Sequence, residues 1–266
     1  MEVNGLPPVG FKSLTRMLSM VGQAALKTGI PVDRFSPTRL PSQVELAALQ
    51  TLAGRDDLPE EYAEISSPLS MTRQEFTQQF ISACREFANG RPITYMSTPV
   101  TGGTRKYDFL ADHGKKSKSQ LAENEQADFA REVIGGNTDQ AFSIAECLRE
   151  VPELGLVMDP SEISMPGWTQ QMYLEHWLDV VHQLADRVVV APGWEVSKGC
   201  VYEVRDALEK GIPVETAHGK PLDRDSVLSS ISGEVERLSQ AGFEELTMNE
   251  ILGAQGFLSE WYLRHQ

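Results

Sequence analysis

The sequence predicts an α/β protein: a doubly wound, mostly parallel sheet with helical extensions at both ends. Two observations carry this expectation. From Arg91 onward, short apolar runs of strand length alternate with segments of helical spacing, a pattern that implies a parallel sheet covered on both faces. The third such run, 188–190, empties into Ala191-Pro-Gly-Trp-Glu-Val-Ser-Lys-Gly-Cys-Val-Tyr-Glu203. A loop and a helix start therefore follow the carboxyl end of a strand, where open α/β sheets bind ligands.

The first 90 residues read as a helical extension that serves packing or oligomerisation. Phe11, Leu14, Leu18 and Val21 fall at helical spacing, and Ser42-Gln-Val-Glu45 and Thr72-Arg-Gln-Glu75 fit the capping box, in which side chain and backbone satisfy each other's orphan donors. The second box opens a helix to about Phe87, stopped by Asn89-Gly90, while 31–41 and 55–68 are irregular and rich in proline and acids.

Residues 91–217 form the expected α/β core. Ile93-Thr-Tyr-Met96 is the first strand and leads into a loop over 97–106; a polar stretch runs to about Ser119. Two helices are expected near 120–134 and 138–149, broken by Gly135-Gly136, since glycine disfavours helix interiors. A second strand over 154–158 ends in Asp159-Pro160. A helix over 169–185 carries Met172, Leu174, Trp177, Leu178, Val181 and Leu184, and a strand follows over 187–191. A helix over 200–210 then stops at Gly211, and a strand occupies 212–215. The segment 218–266 is helical again, with Val227, Leu228, Ile231, Val235 and Leu238 on one face. A third capping box at Thr247-Met-Asn-Glu250 precedes an aromatic terminal helix.

Bulk properties narrow the function. With 41% hydrophobic and 23% charged residues among 266, the composition is that of a soluble globular protein. No apolar run reaches the roughly 20 residues that span a bilayer, and the start lacks a signal-peptide pattern, so a cytoplasmic protein without membrane association is expected. A net charge of −14 argues against a nucleic-acid polymer as partner, because neutralising phosphates requires clustered Lys and Arg; a small phosphorylated ligand remains compatible. Cys84, Cys147 and Cys200 have no metal-binding spacing. None of the five histidines forms a ligand pair, so neither metal nor cofactor is expected. Cys200 reads as a small packed residue or, at a helix start, as a thiol of lowered pKa.

Three loops should meet at the carboxyl edge of the sheet: 97–106, 159–168 and 192–200. The first holds Gly102-Gly103 beside Thr101, Thr104, Arg105 and Lys106; glycines permit close backbone approach, and the basic side chains suit a phosphate. The same residues fit a solvated turn. Ser197, Lys198 and Gly199 can offer backbone N–H groups to an anion at the helix start, and Ser197 also fits a plain N-cap. Glu203 is expected in the first turn of that helix, where the dipole favours its charged form. The tripeptide Pro-Gly-Trp occurs twice, at 166–168 and 192–194.

Ser197-Lys-Gly-Cys-Val-Tyr-Glu203, with Ala207 four residues on, resembles the nucleoside 2-deoxyribosyltransferase superfamily. Pro192-Gly-Trp-Glu-x-Ser-x-Gly199 looks like a largely uncharacterised bacterial and phage branch of it. Tyr95-Met-Ser-Thr-Pro-Val-Thr-Gly-Gly-Thr-Arg105 is similar to the first loop of the deoxynucleoside 5′-monophosphate N-glycosidases, although Thr98-Pro99 departs from the Gly and small residue usual there. The resemblance covers roughly 91–217.

It implies attack on the anomeric carbon of a nucleotide or nucleoside, with Glu203 as nucleophile and a glycosyl-enzyme ester that water or another base resolves. An anion beneath the ring suits the oxocarbenium character of such a transition state. The resemblance implies a second carboxylate on the helix before the third strand: Asp179, seven residues ahead of Asp186, or Glu175 one turn earlier. Tyr202 would orient Glu203 or pack beneath it. Ser197, Lys198 and Gly199, with Ser97, Thr98, Gly102, Gly103 and Arg105, would surround a phosphorylated sugar. Tyr95 and Trp194 would stack on the base or belong to the core. Relatives often complete the pocket across a dimer, so a homodimer or larger homo-oligomer is expected. Two rivals are a non-catalytic nucleotide- or nucleotide-sugar-sensing module and a nicotinamide-dinucleotide glycohydrolase.

Overall fold

The computed structural model describes residues 71–243 other than 164 and 166, together with Val44, Ala47, Ala48 and Thr51. The chain divides into two compact units, Met1–Gly90 with Glu162–Gly167, and Arg91–Ser161 with Trp168–Gln266. The 11–21 face, the capping boxes at 42–45 and 247–250 and the terminal aromatic segment fall outside the described residues.

In the first unit, Val44, Ala47, Ala48 and Thr51 are helical and buried, the i, i+3, i+4, i+7 stripe of one helix face. Helix α1 (Arg73–Ala88) starts with the expected capping box. The Thr72 N–H donates to Glu75 Oε2 at 2.7 Å and the Glu75 N–H to Thr72 Oγ1 at 3.2 Å. It buries Phe76, Phe80, Ile81, Cys84 and Phe87 and ends at Asn89, in the left-handed region at φ 49°.

The second unit is a four-stranded, all-parallel sheet flanked by helices. In chain order it contains β1 (Ile93–Ser97), α2 (Thr104–Asp112), α3 (Glu123–Phe129), a π-turn (Ala130–Gly135) and α4 (Gly136–Arg149). Then follow β2 (Leu156–Met158), α5 (Gln170–Leu184), β3 (Arg187–Val190), α6 (Lys198–Lys210), β4 (Val214–Thr216) and α7 (Arg224–Gln240). The strand order is β2-β1-β3-β4, the doubly wound arrangement expected from the alternating pattern. Winding reverses between β1 and β3, so the topological switch point lies at the carboxyl ends of these two strands. Their register sets Tyr95 beside Val188 and Ser97 beside Val190. At the other end the Asp186 carboxylate accepts the Ile93 N–H at 2.8 Å, tying β3 to β1.

Alternation along the strands assigns the two faces. Met96, Val157 and Val189 pack with Ala141, Ala145 and Leu148 of α4 in one apolar cluster. Tyr95, one residue earlier, points the other way, its ring 6.0 Å from that of Trp177 on α5. Helix α6 packs on α5 and along β3. Helix α7, N-capped by Asp223 through the Ser226 N–H at 2.9 Å, buries Val227, Ile231 and Leu238 and packs on the short 3-10 turn Trp194–Val196. No helix of the described residues is long and apolar enough to cross a membrane.

Two expectations about these elements fail. Residues 104–112, read as loop and polar stretch, form helix α2. Gly135-Gly136 does not break the helix: both residues are right-handed helical, and α3 continues through the π-turn into α4. Here the missing side chain serves close approach. A Cβ on Gly136 would lie 3.0–3.1 Å from the Arg105 guanidinium, so the glycine admits that side chain against the helix. Local propensity is overridden by a tertiary contact.

Candidate active site

Glu203 is the centre of the site. Helix α6 begins at Lys198, which places Glu203 in the second turn, beyond the reach of the first-turn amides. It also turns the side chain inward: Glu203 is 6% exposed. Both carboxylate oxygens are held by hydroxyls of β1. Tyr95 Oη donates to Oε1 at 3.0 Å, and Ser97 Oγ donates to Oε2 at 2.6 Å. The two donors are two residues apart on one strand, and so share a sheet face.

The electrostatics differ from the sequence expectation of an acid kept ionised by the helix dipole. Burial pushes the Glu203 carboxyl up to about 7, and the bonds from Ser97 and Tyr95 pull the other way without overcoming it. Desolvation of a carboxylate costs more than two neutral hydroxyl donors return. Burial, with the Glu203 charge second, likewise raises the Tyr95 hydroxyl. The same two causes push the Cys200 thiol well up, so the helix start does not activate it. Glu203 is thus an acid poised to ionise near neutral pH, the range in which proton transfer and nucleophilic attack are both open to it.

Two loops interlock at the carboxyl ends of β1 and β3. After β1 the chain passes through Thr98 and Pro99, both buried, to Gly103, whose φ is +77°. A Cβ there would meet Pro99 Cβ at 2.8 Å. Gly193, φ +83°, lies on the loop after β3, and a Cβ there would meet the Thr104 nitrogen at 3.0 Å; one on Gly102 would touch Ser197 Oγ at 3.4 Å. Close backbone approach therefore requires glycine at 103 and 193. Asn137, buried at the start of α4, donates its side-chain amide to the carbonyls of Val100 and Gly102 at 2.9 and 3.0 Å. The expected meeting of the 97–106 and 192–200 loops is present.

Of the other nominated residues, Ser197 is buried and makes no side-chain capping bond to α6. Gly199 is half-buried, while Lys198 and Arg105 are exposed. Tyr95 and Trp194 are 0% and 3% exposed; Tyr95 contributes its hydroxyl, and Trp194 sits in the turn packed on α7. Tyr202 is half-buried with the Arg205 guanidinium 4.7 Å above its ring, about 100° around the helix from Glu203. The hydroxyls that orient Glu203 come from β1. Asp179 and Glu175 are half-buried on α5, outside its buried stripe of His176, Trp177, Val180, Val181 and Leu184. The Glu175 carboxylate accepts from Gln171 Nε2 at 3.0 Å.

Two features escaped the sequence reading. Asn137 carried no motif; a polar residue just inside a helix after two glycines was the available sign. Asp159, at the carboxyl end of β2, is fully buried, its Oδ1 accepting the Ser161 N–H at 2.9 Å, and burial raises its pKa. Among the described residues no three His, Cys, Asp or Glu side chains gather as a metal cage.

The fold and the site together define a class: a doubly wound α/β protein with a hydroxyl-clamped acid at its topological switch point. Comparison with protein-family models, curated proteins and solved structures finds no match to this chain.

Proposed function

We propose that this protein cleaves the N-glycosidic bond of a nucleotide or nucleoside, or exchanges its base, through Glu203 as nucleophile. The observation that carries the reading is the clamp on Glu203: a buried carboxyl, each oxygen held by a hydroxyl of β1, the strand on one side of the sheet's switch point. Fixing both oxygens removes the rotational freedom an attacking carboxylate would otherwise have to lose.

In the first step the ionised Glu203 forms a bond to the anomeric carbon as the carbon–nitrogen bond breaks. Its electron pair leaves with the base, which takes up a proton from a second acid. Asp179 and Glu175 stand as candidates for that acid. Water, or a second base, then attacks the anomeric carbon, giving up its proton to the conjugate base of that acid, and frees Glu203 as carboxylate, with net retention of configuration. Backbone N–H groups of the first turn of α6 have no partner within the helix. With Arg105 nearby in the sequence of the facing loop, they suit a 5′-phosphate. Two copies of the chain completing one pocket fit the same reading.

The test is incubation with a panel of nucleosides, nucleotides and a nicotinamide dinucleotide, followed by chromatography for free base. Release by the wild type, lost in Glu203→Gln, supports the assignment; wild-type rates in that variant remove it. A nucleotide-sensing role is favoured by the separate compact unit before Arg91; it predicts nucleotide binding with no base released.

A further inference from the structure

The loop after β1 and the turn that opens α6 leave the sheet from neighbouring strands, but the helices behind them lie on opposite faces. Helix α4 covers the face of Met96, and its first residues, Gly136 and Asn137, stand at the carboxyl edge because α4 joins two parallel strands. Helix α6 lies on the face of Tyr95, to which it brings Glu203. Asn137 is buried, and its side-chain amide donates at 2.9 and 3.0 Å to the carbonyls of Val100 and Gly102 in the loop after β1. Gly136 beside it admits the Arg105 guanidinium from the first turn of α2.

The loop held in this way lies against the turn that opens α6. A Cβ on Gly102 would stand 3.4 Å from Ser197 Oγ and 3.5 Å from its Cα. One on Gly103 would stand 3.4 Å from the Gly193 carbonyl oxygen, and one on Gly193 would stand 3.0 Å from the Thr104 nitrogen. Backbones packed this closely leave neither segment room to shift alone. The turn has bonds of its own: the N–H groups of Trp194, Val196 and Ser197 donate to the carbonyls of Ala191, Gly193 and Trp194 at 3.3, 3.4 and 3.1 Å. From Ser197 the path to the acid is short. The Cys200 thiol shares hydrogen bonds with the hydroxyls of Ser197 and Ser97, and Ser97 holds Glu203.

We propose that Asn137 is a positioning residue for the Glu203 clamp, seating the loop after β1 against the turn that starts α6 and so fixing where that helix begins. The role concerns the same acid as the glycosidase reading, on which it rests only for its catalytic meaning. Asparagine suits it because one planar amide supplies two donors, enough to hold two carbonyls two residues apart. The anchor also accounts for the sequence around it. A Gly-Gly pair within continuous helix is locally unfavourable, and its second glycine sits where Arg105 comes close. Single π-turns inside helices are frequent at functional sites, and this one, Ala130–Gly135, ends directly before Gly136 and Asn137.

The test compares amide hydrogen exchange in the full-length wild type, Asn137→Ala and Asn137→Asp. Asn137→Ala is expected to speed exchange of the Trp194, Val196 and Ser197 amides by about tenfold or more, with the amides of β3 unchanged. Asn137→Asp keeps the shape but has no amide hydrogens, so at neutral pH it loosens the turn at least as much. Relative to wild type at the same pH, acidification restores part of the protection as the carboxyl regains a proton to donate. A side chain that only fills space predicts Asp equal to Asn. The second readout is the titration of the Glu203 carboxyl, followed by carbon NMR and assigned with Glu203→Gln; its midpoint moves by about half a unit or more in Asn137→Ala. Should Asn137→Ala fail to fold, Gly102→Val gives the same readouts by wedging a side chain against Ser197. Unchanged exchange at 194–197, Asp behaving as Asn, or an unmoved Glu203 midpoint overturns the role. Neither readout needs turnover: base release with an unmoved midpoint leaves the glycosidase reading standing, and a moved midpoint without base release leaves the positioning role standing.

Discussion

The two faces of β1 are equally buried and do opposite things. Met96 points into an apolar cluster with Val157, Val189 and Ala141, where burial is pure gain. Tyr95 and Ser97 point to the other face, where they hold a carboxyl that burial has made hard to ionise. One strand therefore carries stability on one side and stored electrostatic cost on the other. The cost falls on the side that meets the switch point, where a reactive group is useful.

The largest test of this contrast is Glu203→Gln. On the proposed mechanism base release falls by at least ~10³-fold, while the fold gains stability at high pH. The sign follows from linkage. The folded-state value, about 7, lies above the 4.5 of an exposed glutamate, so the folded state binds the proton more tightly. The resulting stabilisation is fully present below about pH 4.5 and is lost as pH rises through about 7. Gln carries no such loss, so denaturant titrations should show the variant ahead by roughly 3 kcal/mol at pH 8 and level with the wild type at pH 4. A variant less stable at pH 8 would show that the clamp is stabilising as an ion and would remove the contrast.

On the dry face, Met96→Ala should cost about 2–5 kcal/mol by leaving a cavity; the pH at which activity rises should not move. Gly103→Ala combines a left-handed residue with the close Pro99 contact, and should cost about 1–3 kcal/mol, visible as a lowered Tm. Ser97→Ala removes the shorter hydroxyl bond, so the Glu203 pKa rises and the ascending limb of the kcat profile moves to higher pH by about one unit or more. An unmoved limb would take Ser97 out of the clamp. Smallest is Gly199→Ala: a Cβ there meets nothing within 4 Å, so stability should change by less than about 0.5 kcal/mol. Nucleotide affinity can then be read free of folding, and an unchanged value removes the phosphate from the 197–199 turn.

Much of the architecture was legible because it depends on short-range pattern. Apolar runs at 93–96 and 188–190, the Thr72–Glu75 box and the Gly211 stop each report local geometry, and the elements they mark appear within a residue or two of expectation. The convergence of the loops after β1 and β3 was also legible, since parallel strands put their following loops on one edge. The Gly135-Gly136 stop was misread because the contact that uses Gly136, the Arg105 guanidinium, comes from 31 residues away. The charge state of Glu203 was misread for a related reason: the helix dipole is a local property, whereas burial is set by everything packed around the residue.

The sequence by itself determined a parallel α/β core, the edge on which the loops after β1 and β3 gather, and Glu203 as the acid to examine, because alternation, caps and strand-to-helix loops are written in neighbouring residues. Only the tertiary structure decided that Tyr95 and Ser97 are the partners of that acid, that Asn137 pins the loop after β1, and that its pKa stands near neutrality. Those facts join residues some 35 to 108 positions apart, and desolvation is a property of the packed whole that no stretch of neighbouring residues contains.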